Sequence, residues 1–273
     1  MQRKKSEVRS TQNKKLKNKR AKIEFILVLL LSFTVLIMFI MSPIFNISEV
    51  IVNNSNHYSS DEIIKASGIS TGINGFKNIG GNYKHYILFR YGQAEENIIS
   101  SLPYIKDVVV KYIIPNKVVI NIEEREPIII IPYLGTYLLT DRYGYVVETV
   151  SNPEEYIMPE IKGLKFSGYE IGQPLDIVND KNFEDLILLI DTLTKVDKSD
   201  NFKITELINS IDISDKNNIH ITIDLRLVVN VGSIEQIDYK VKSLKQIFFK
   251  GIGKDEKGFL DFATGPYPVF IPN

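Results

Sequence analysis

The 273-residue chain offers metal or nucleophile chemistry three histidines, His57, His85 and His220, and no cysteine. No pair of these histidines has the H-E-x-x-H spacing that puts two imidazoles on one helical face. The lack of cysteine removes disulfide scaffolds, zinc ribbons, iron–sulfur clusters and thiol nucleophiles. It leaves the compartment open, because a secreted domain with a good core needs no disulfides. Gly68-Ile69-Ser70-Thr71-Gly72 satisfies G-x-S-x-G. A nucleophile elbow needs a strand before the serine and a helix after it, whereas here a helical pattern precedes and a glycine-rich stretch follows. Gly251-Ile252-Gly253-Lys254 lacks the glycine spacing of a phosphate loop and the Ser or Thr after the lysine. The acid pairs Glu95-Glu96, Glu123-Glu124 and Glu154-Glu155 are adjacent, so their side chains diverge on a strand or helix. They read as solvated faces. No catalytic, cofactor or metal site emerges, and a non-enzymatic protein is expected.

The elements tell more. The formal charge is zero, yet residues 1–22 hold ten basic side chains against the single acid Glu7, a net +9. Residues 23–273 carry 23 basic and 32 acidic groups, a net −9. A basic tail on an acidic body points to a membrane or nucleic-acid partner for the tail. Nucleic acid is disfavoured, since no aromatic residues interleave with the tail's basic ones. From Phe25 to Ser48 no residue is charged, a run of 24. About 20 helical residues cross the ~30 Å hydrocarbon layer. A backbone in lipid must satisfy its own hydrogen bonds, so the segment should be helical. Residues 23–43 are therefore expected to span a membrane, with Phe25, Leu29, Leu30, Phe33, Leu36, Ile37 and Ile40 among the side chains facing lipid. A cleaved leader would have a shorter apolar region followed by small residues, but this run ends Phe39-Ile40-Met41-Ser42-Pro43. Basic flanks stay cytoplasmic, so the tail, a disordered topology signal, should lie inside and residues from about 44 onward outside.

After the span comes a small α+β unit, residues 44–125. Residues 47–52 suit a strand. Ser59 and Glu62 form a capping box that opens a short helix carrying Ile63, Ile64 and Ala66. A second helix, 94–102, carries Ile98, Ile99 and Leu102 and stops at Pro103. Residues 105–112 and 117–123 make a hairpin about Ile114-Pro115-Asn116, with Val118, Ile120 and Ile122 alternating against polar neighbours. The order is β-α-α-β-β. Residues 68–92, with six glycines, read as a long loop between the helices. Residues 126–273 read as mostly antiparallel β. Residues 127–133, bounded by Pro127 and Pro132, suit an edge strand. Strands are expected at 137–139, 145–147, 211–213, 219–223, 227–231 and 258–262, and helices at 182–194 and 234–249. Helices beside an antiparallel sheet make an α+β layer.

Several short motifs follow one another along the chain. They are Pro103-Tyr104-Ile105, Pro115-Asn116, Glu124-Arg125-Glu126-Pro127, the hairpin YLLTDRYGYVVE at 137–148, MPEIKG at 158–163 and the closing run at 219–247. In that order, after a single span, they resemble the FtsQ/DivIB family of bacterial cell-division proteins. The resemblance covers residues 23–271 and implies a polypeptide-transport-associated (POTRA) domain followed by a β domain. It also implies a plasma-membrane scaffold at the division septum that joins FtsL-like and FtsB/DivIC-like single-span proteins and so helps regulate septal peptidoglycan synthases. The 68–92 stretch is longer than the family pattern. An anchored wall enzyme and a POTRA-type transport or folding factor are the competing classes. The first lacks a metal set or an acid pair in a cleft, and the second lacks repeated modules.

A protein that acts by binding must expose something unsatisfied, and the last strand of a sheet does so through one row of unpaired backbone groups. The expected edge is 258–264, after which only 267–273 could cover it. Phe259, Leu260, Asp261, Phe262, Ala263, Thr264 and Tyr267 are the candidate partner-binding residues, with Phe259 and Phe262 selecting the partner. The resemblance implies the same region.

Overall fold

The computed structural model describes residues 2–198, 201–265 and 267–272, and the backbone alone at 2–19 and 21. The first element, α1 (Gln2–Ile40), is one continuous helix. The basic tail is thus helical rather than disordered, continuing without a break into the apolar stretch. Within α1, Lys22–Ile40 is long and apolar enough to cross a membrane, with mean hydropathy 2.8 and none of it buried. Ser32 and Thr34 donate to the carbonyls of Leu29 and Leu30, so their hydroxyls stay satisfied along an apolar helix.

The rest of the chain divides into two compact units. One contains 45–98 and 108–122, together with α1; the other contains 99–107 and everything from 123 onward. In the first, β1 (Glu49–Asn53), α2 (Ser60–Ser67), α3 (Tyr83–Leu88), α4 (Gly92–Ser101), β2 (Ile105–Ile113) and β3 (Lys117–Glu124) follow in order. The sheet order is β1-β3-β2, with β1 parallel to β3. The capping box is present: the Glu62 N–H donates to the Ser59 hydroxyl and the Ser59 N–H to the Glu62 carboxylate. The Ser59 hydroxyl, which donates to Glu62 Oε2 at 2.6 Å, and the Ser59 N–H hold the Glu62 carboxyl below its usual range. The hairpin alternates as its residues require, with Val118, Ile120 and Ile122 all buried.

The 68–92 stretch is not a loop. It contains a 3₁₀ turn at Gly75–Asn78 and α3, whose own capping box joins Asn82 and His85. Glu95, expected in solvent, is only 6 % exposed. It accepts from Arg90 Nε at 2.8 Å, Arg90 Nη2 at 2.9 Å and the Val110 N–H at 2.8 Å, with His85 Nε2 at 3.3 Å. A carboxylate with that many donors is a junction, not a solvated face. Its acidic neighbour in sequence gave no hint of this, because the donors arrive from α3, from the turn after it and from β2.

The second unit is one nine-stranded sheet in the order β12-β11-β10-β9-β8-β7-β4-β5-β6. Its strands are β4 (Pro127–Tyr133), β5 (Thr136–Asp141), β6 (Val146–Val150), β7 (Glu160–Lys162), β8 (Ile208–Asp212), β9 (Ile219–Ile223), β10 (Leu227–Gly232), β11 (Gly258–Asp261) and β12 (Val269–Pro272). Neighbours are antiparallel except β4–β7, β7–β8 and β10–β11. Parallel neighbours cannot be joined by a tight turn. Accordingly α5 (Asp180–Asp197) fills the β7–β8 crossover and α6 (Ile237–Gln246) the β10–β11 crossover. Leu186, Leu189 and Leu193 of α5 and Val241 and Leu244 of α6 share one core with Ile211, Ile221, Val229 and Leu260 of the sheet.

Two edge expectations are corrected. β4 is interior, between β7 and β5, despite its prolines. It pairs with β7 in the ladder only at Ile130, so neither Pro127 nor Pro132 is asked for a donor on that side. β11 is also interior, because residues 269–272 return as β12 and pair antiparallel with it, Gly258 opposite Pro272 and Asp261 opposite Val269.

α5 and α6 are joined by a buried pair. Lys245 Nζ lies 2.9 Å from Asp197 Oδ1, with side chains 6 % and 5 % exposed. The ammonium also donates to the Val196 carbonyl at 3.2 Å. Burial opposes charge on Asp197, but the Thr205 N–H at 2.8 Å, the Thr205 hydroxyl at 2.7 Å and Lys245 outweigh it and hold the carboxyl below the aspartate range. A depressed carboxyl stabilises the fold above its unfolded value of ~4, and that stability is lost as pH falls through the folded value. Asp197→Asn should therefore weaken the protein by about 3 kcal/mol at neutral pH, because it strands a buried ammonium. It should also flatten the acid limb of a plot of denaturation midpoint against pH. In the other unit, Ile120→Ala should cost ~2–5 kcal/mol in the same measurement; an unchanged midpoint would contradict its burial.

Candidate partner-binding surface and membrane anchor

Motifs far apart in sequence meet in the second unit. Arg125 Nη1 donates to Asp141 Oδ2 at 2.8 Å, with side chains 9 % and 3 % exposed. Asp141 Oδ1 accepts the N–H groups of Tyr143 and Tyr145, both at 2.9 Å, which closes the turn that Gly144 completes at φ +84°. The guanidinium stacks 3.5 Å above the Tyr145 ring. Tyr104 donates to Glu148 at 2.6 Å, and its carbonyl accepts the Arg125 N–H. The Pro-Tyr-Ile, Glu-Arg-x-Pro and Asp-x-x-Gly-x-Val motifs are thus one hydrogen-bonded cluster. A cleft of about 690 Å³ lies beside it. Cations on its wall pair with neighbours, Lys106 with Glu123, Arg125 with Asp141 and Arg142 with Asp191.

The sheet ends at β12. The N–H groups of Gly258 and Phe262 donate to the carbonyls of Arg226 and Asn230, on the β10 side. Strand alternation then turns Phe259 and Asp261 toward β12, where they face Ile271 and Val269. The outward backbone positions of the last strand are consequently 268, 270 and 272. Two of these are Pro268 and Pro272, which have no N–H. The outward row offers three carbonyls and one donor, the Phe270 N–H.

The side chains sort by the same alternation. Leu260 and Phe262 are buried, 1 % and 8 % exposed, and point to the helix-covered core, where Phe270 also packs. Neither can choose a partner, which corrects the expectation for Phe262. On the open face, Val228, Phe259 and Ile271 lie in one row across β10, β11 and β12, with the His220 ring 6.1 Å from Phe259. Tyr267, Val269 and Ile271 are 76 %, 53 % and 52 % exposed. Asp261 accepts from the Ala263 N–H and the Thr264 hydroxyl, fixing the turn after β11 rather than meeting solvent freely. Ala263 and Thr264 are exposed. Val269 and Ile271 were missed because a four-residue strand between prolines leaves little period to detect.

In the anchor, Phe25, Leu29, Leu30, Phe33, Leu36 and Ile37 are exposed along α1, and Ile40 is half-buried where the helix ends. Asn74 Nδ2 donates to the Ile40 carbonyl at 2.8 Å, which ties the end of α1 to the following unit.

Among the described residues one helix is long and apolar enough to cross a membrane, and it leads into a β-α-α-α-β-β unit and then a helix-covered sheet, the layout of a POTRA protein with an amino-terminal apolar helix. Residues 45–125 match the family model described as POTRA domain, FtsQ-type. The chain is 28 % identical to the cell division protein DivIB of Clostridium tetani over 247 residues, covering 89 % of this chain and 84 % of the relative. It is 27 % identical to DivIB of Clostridium botulinum strain Hall over 260 residues, 94 % of each chain. It is 24 % identical to DivIB of Listeria monocytogenes over 269 residues, 96 % and 85 %. Residues 45–125 are thus an FtsQ-type POTRA domain, and over most of its length the chain is similar to proteins named cell division protein DivIB.

β12 lies close on Gly258: a Cβ there would sit 2.4 Å from the Ile271 carbonyl and 2.7 Å from the Phe270 ring. Gly258→Ala should lift the last strand at a cost of ~1–3 kcal/mol. The loss should appear as faster amide exchange in 269–272 than in β8 or β9, whereas uniform exchange would place the strain elsewhere.

Proposed function

We infer that this protein is a non-enzymatic scaffold of the division machinery, anchored by one span with its amino terminus in the cytoplasm and the rest outside. It joins FtsL-like and FtsB/DivIC-like single-span proteins at the septum and, through them, bears on septal peptidoglycan synthases. The kinship with DivIB proteins supports the process. The basic tail of net +9 supports the orientation. The partner-binding residues expected from sequence are kept in modified form, with β12 as the edge and the row Phe259, Val269 and Ile271 beside Tyr267 as the selecting face. The domain limits 1–22, 23–43, 44–125 and 126–273 stand as part of this proposal.

One observation carries the partner site: exposed apolar side chains stand on the last strand of the sheet, beside a backbone row that retains carbonyl acceptors. A partner strand laid there gains main-chain bonds, and the side chains set its identity. With a single outward donor on the strand, the side chains must carry most of the affinity. Val269→Glu with Ile271→Glu should keep the thermal melt of the full chain near wild type, since both side chains are solvent-facing. It should also abolish co-purification with the DivIC-like partner and scatter a fluorescent fusion from mid-cell. Wild-type capture by a folded double variant would move the partner site off β12. External protease that spares residues beyond 44 in wall-stripped cells would reverse the orientation.

A further inference from the structure

α3 is built to be presented rather than packed. None of its residues is buried, and Tyr83, Tyr86 and Ile87, at i, i+3 and i+4, are 72 %, 59 % and 71 % exposed on one face. A helix of six residues holding three large side chains in water is unfavourable unless something else covers them. Yet the support beneath it is rigid. His85 faces inward, 3.3 Å from buried Glu95, and Arg90 grips the same carboxylate. Gly81, at φ +123°, lies so near His85 that a Cβ would sit 2.0 Å from Nδ1. The face is exposed by construction, not by looseness.

Its surroundings lead to the end of the membrane span. Asn74 is bonded to Ile40 at the end of α1. Ring contacts of 5.3, 5.2 and 6.2 Å run from Phe39 in the last turn of the span through Phe45 and Phe76 to Phe89, the C-cap of α3. Met41 and Ile44, between span and first strand, are 73 % and 59 % exposed. The charge changes here too. Residues 63–94 contain Lys65, Lys77, Lys84 and Arg90 and no Asp or Glu, within a body of net −9. Arg90 is engaged by Glu95, which leaves lysines as the outward charge. Exposed Tyr and Ile with flanking Lys, joined to the end of a span, is the composition of a membrane-interface element.

We propose that α3 is a second membrane contact, lying in the head-group layer of the leaflet from which the span emerges, with Tyr83, Tyr86 and Ile87 inserted and Lys77 and Lys84 on anionic lipid. This rests on the anchor assignment. Basic side chains near an anionic surface are each attracted by about 1 kcal/mol. The contact would fix the tilt of the POTRA domain against the bilayer, which a flexible tether would leave free.

The chain has no tryptophan, so one introduced indole reports alone. Tyr86→Trp and, separately, Phe33→Trp are made in the full chain and reconstituted into phosphatidylethanolamine–phosphatidylglycerol vesicles with brominated lipids. Y86W should emit blue-shifted and lose emission most to lipid brominated near the head group. F33W should lose most to lipid brominated near the chain end. In phosphatidylcholine vesicles the Y86W loss should shrink and the F33W loss should not. Quenched F33W with unquenched, solvent-like Y86W would overturn the proposal while keeping the anchor; a protein partner for α3 would give that result. No quenching at either position would overturn the anchor and the proposal together.

Discussion

The Arg125–Asp141 pair is the contact from which the second unit is assembled. It lies at the start of the nine-stranded sheet, where the chain leaves β3 and enters β4, and fixes that entry to the end of β5 two strand-lengths later. Both charges are buried, so neither is tolerable alone. Each is fully used: the carboxylate holds two turn amides as well as the guanidinium, and the guanidinium stacks on Tyr145. A buried pair is weak ground for stability as such, but strong ground for register. Slipping β4 against β5 by one residue would separate the charges and turn Ile129 and Ile131 out of the core. Three of the motifs recognisable in sequence, Pro103-Tyr104-Ile105, Glu124-Arg125-Glu126-Pro127 and the 137–148 hairpin, supply the parts of this single cluster.

Where a pattern is local, the sequence was readable. Ser59 and Glu62 meet across one helical turn, so the capping box needs no distant partner. Val118, Ile120 and Ile122 alternate within a single strand, so their burial follows from period alone. What was hidden depends on distant segments. Glu95 resembles Glu96 in sequence and differs only because Arg90, His85 and Val110 converge on it. β4 looked like an edge because its prolines forbid donors, yet a parallel neighbour that touches it at one residue asks for none. β12 was treated as a tail because four residues between prolines carry too little periodicity.

The prolines that concealed β12 also shape what it can do. An exposed edge is an aggregation hazard, and proline at outward positions is one way to blunt it. Pro268 and Pro272 remove two of three outward donors, while the inward pairing with β11 remains intact. The edge is therefore poor for indiscriminate strand pairing. A partner must instead match Tyr267, Val269 and Ile271 and the row beyond them to Phe259 and Val228. Specificity on such an edge comes from what the backbone withholds as much as from what the side chains offer.

A comparable trade governs the first unit. Residues 63–94 hold no carboxylate, and Glu95, which follows them, is turned inward, where Arg90 pairs with it and His85 Nε2 lies 3.3 Å away. Had the carboxylate faced outward, α3 would lose the bond that holds it in place and would present negative charge beside its tyrosines. Burying the acid does both jobs in the opposite sense: it locks the helix from below and leaves only lysine charge above. An exposed apolar face held this firmly, beside the end of a span and within a stretch, 63–94, that carries no acid, has the properties that an anionic bilayer selects and that free water does not.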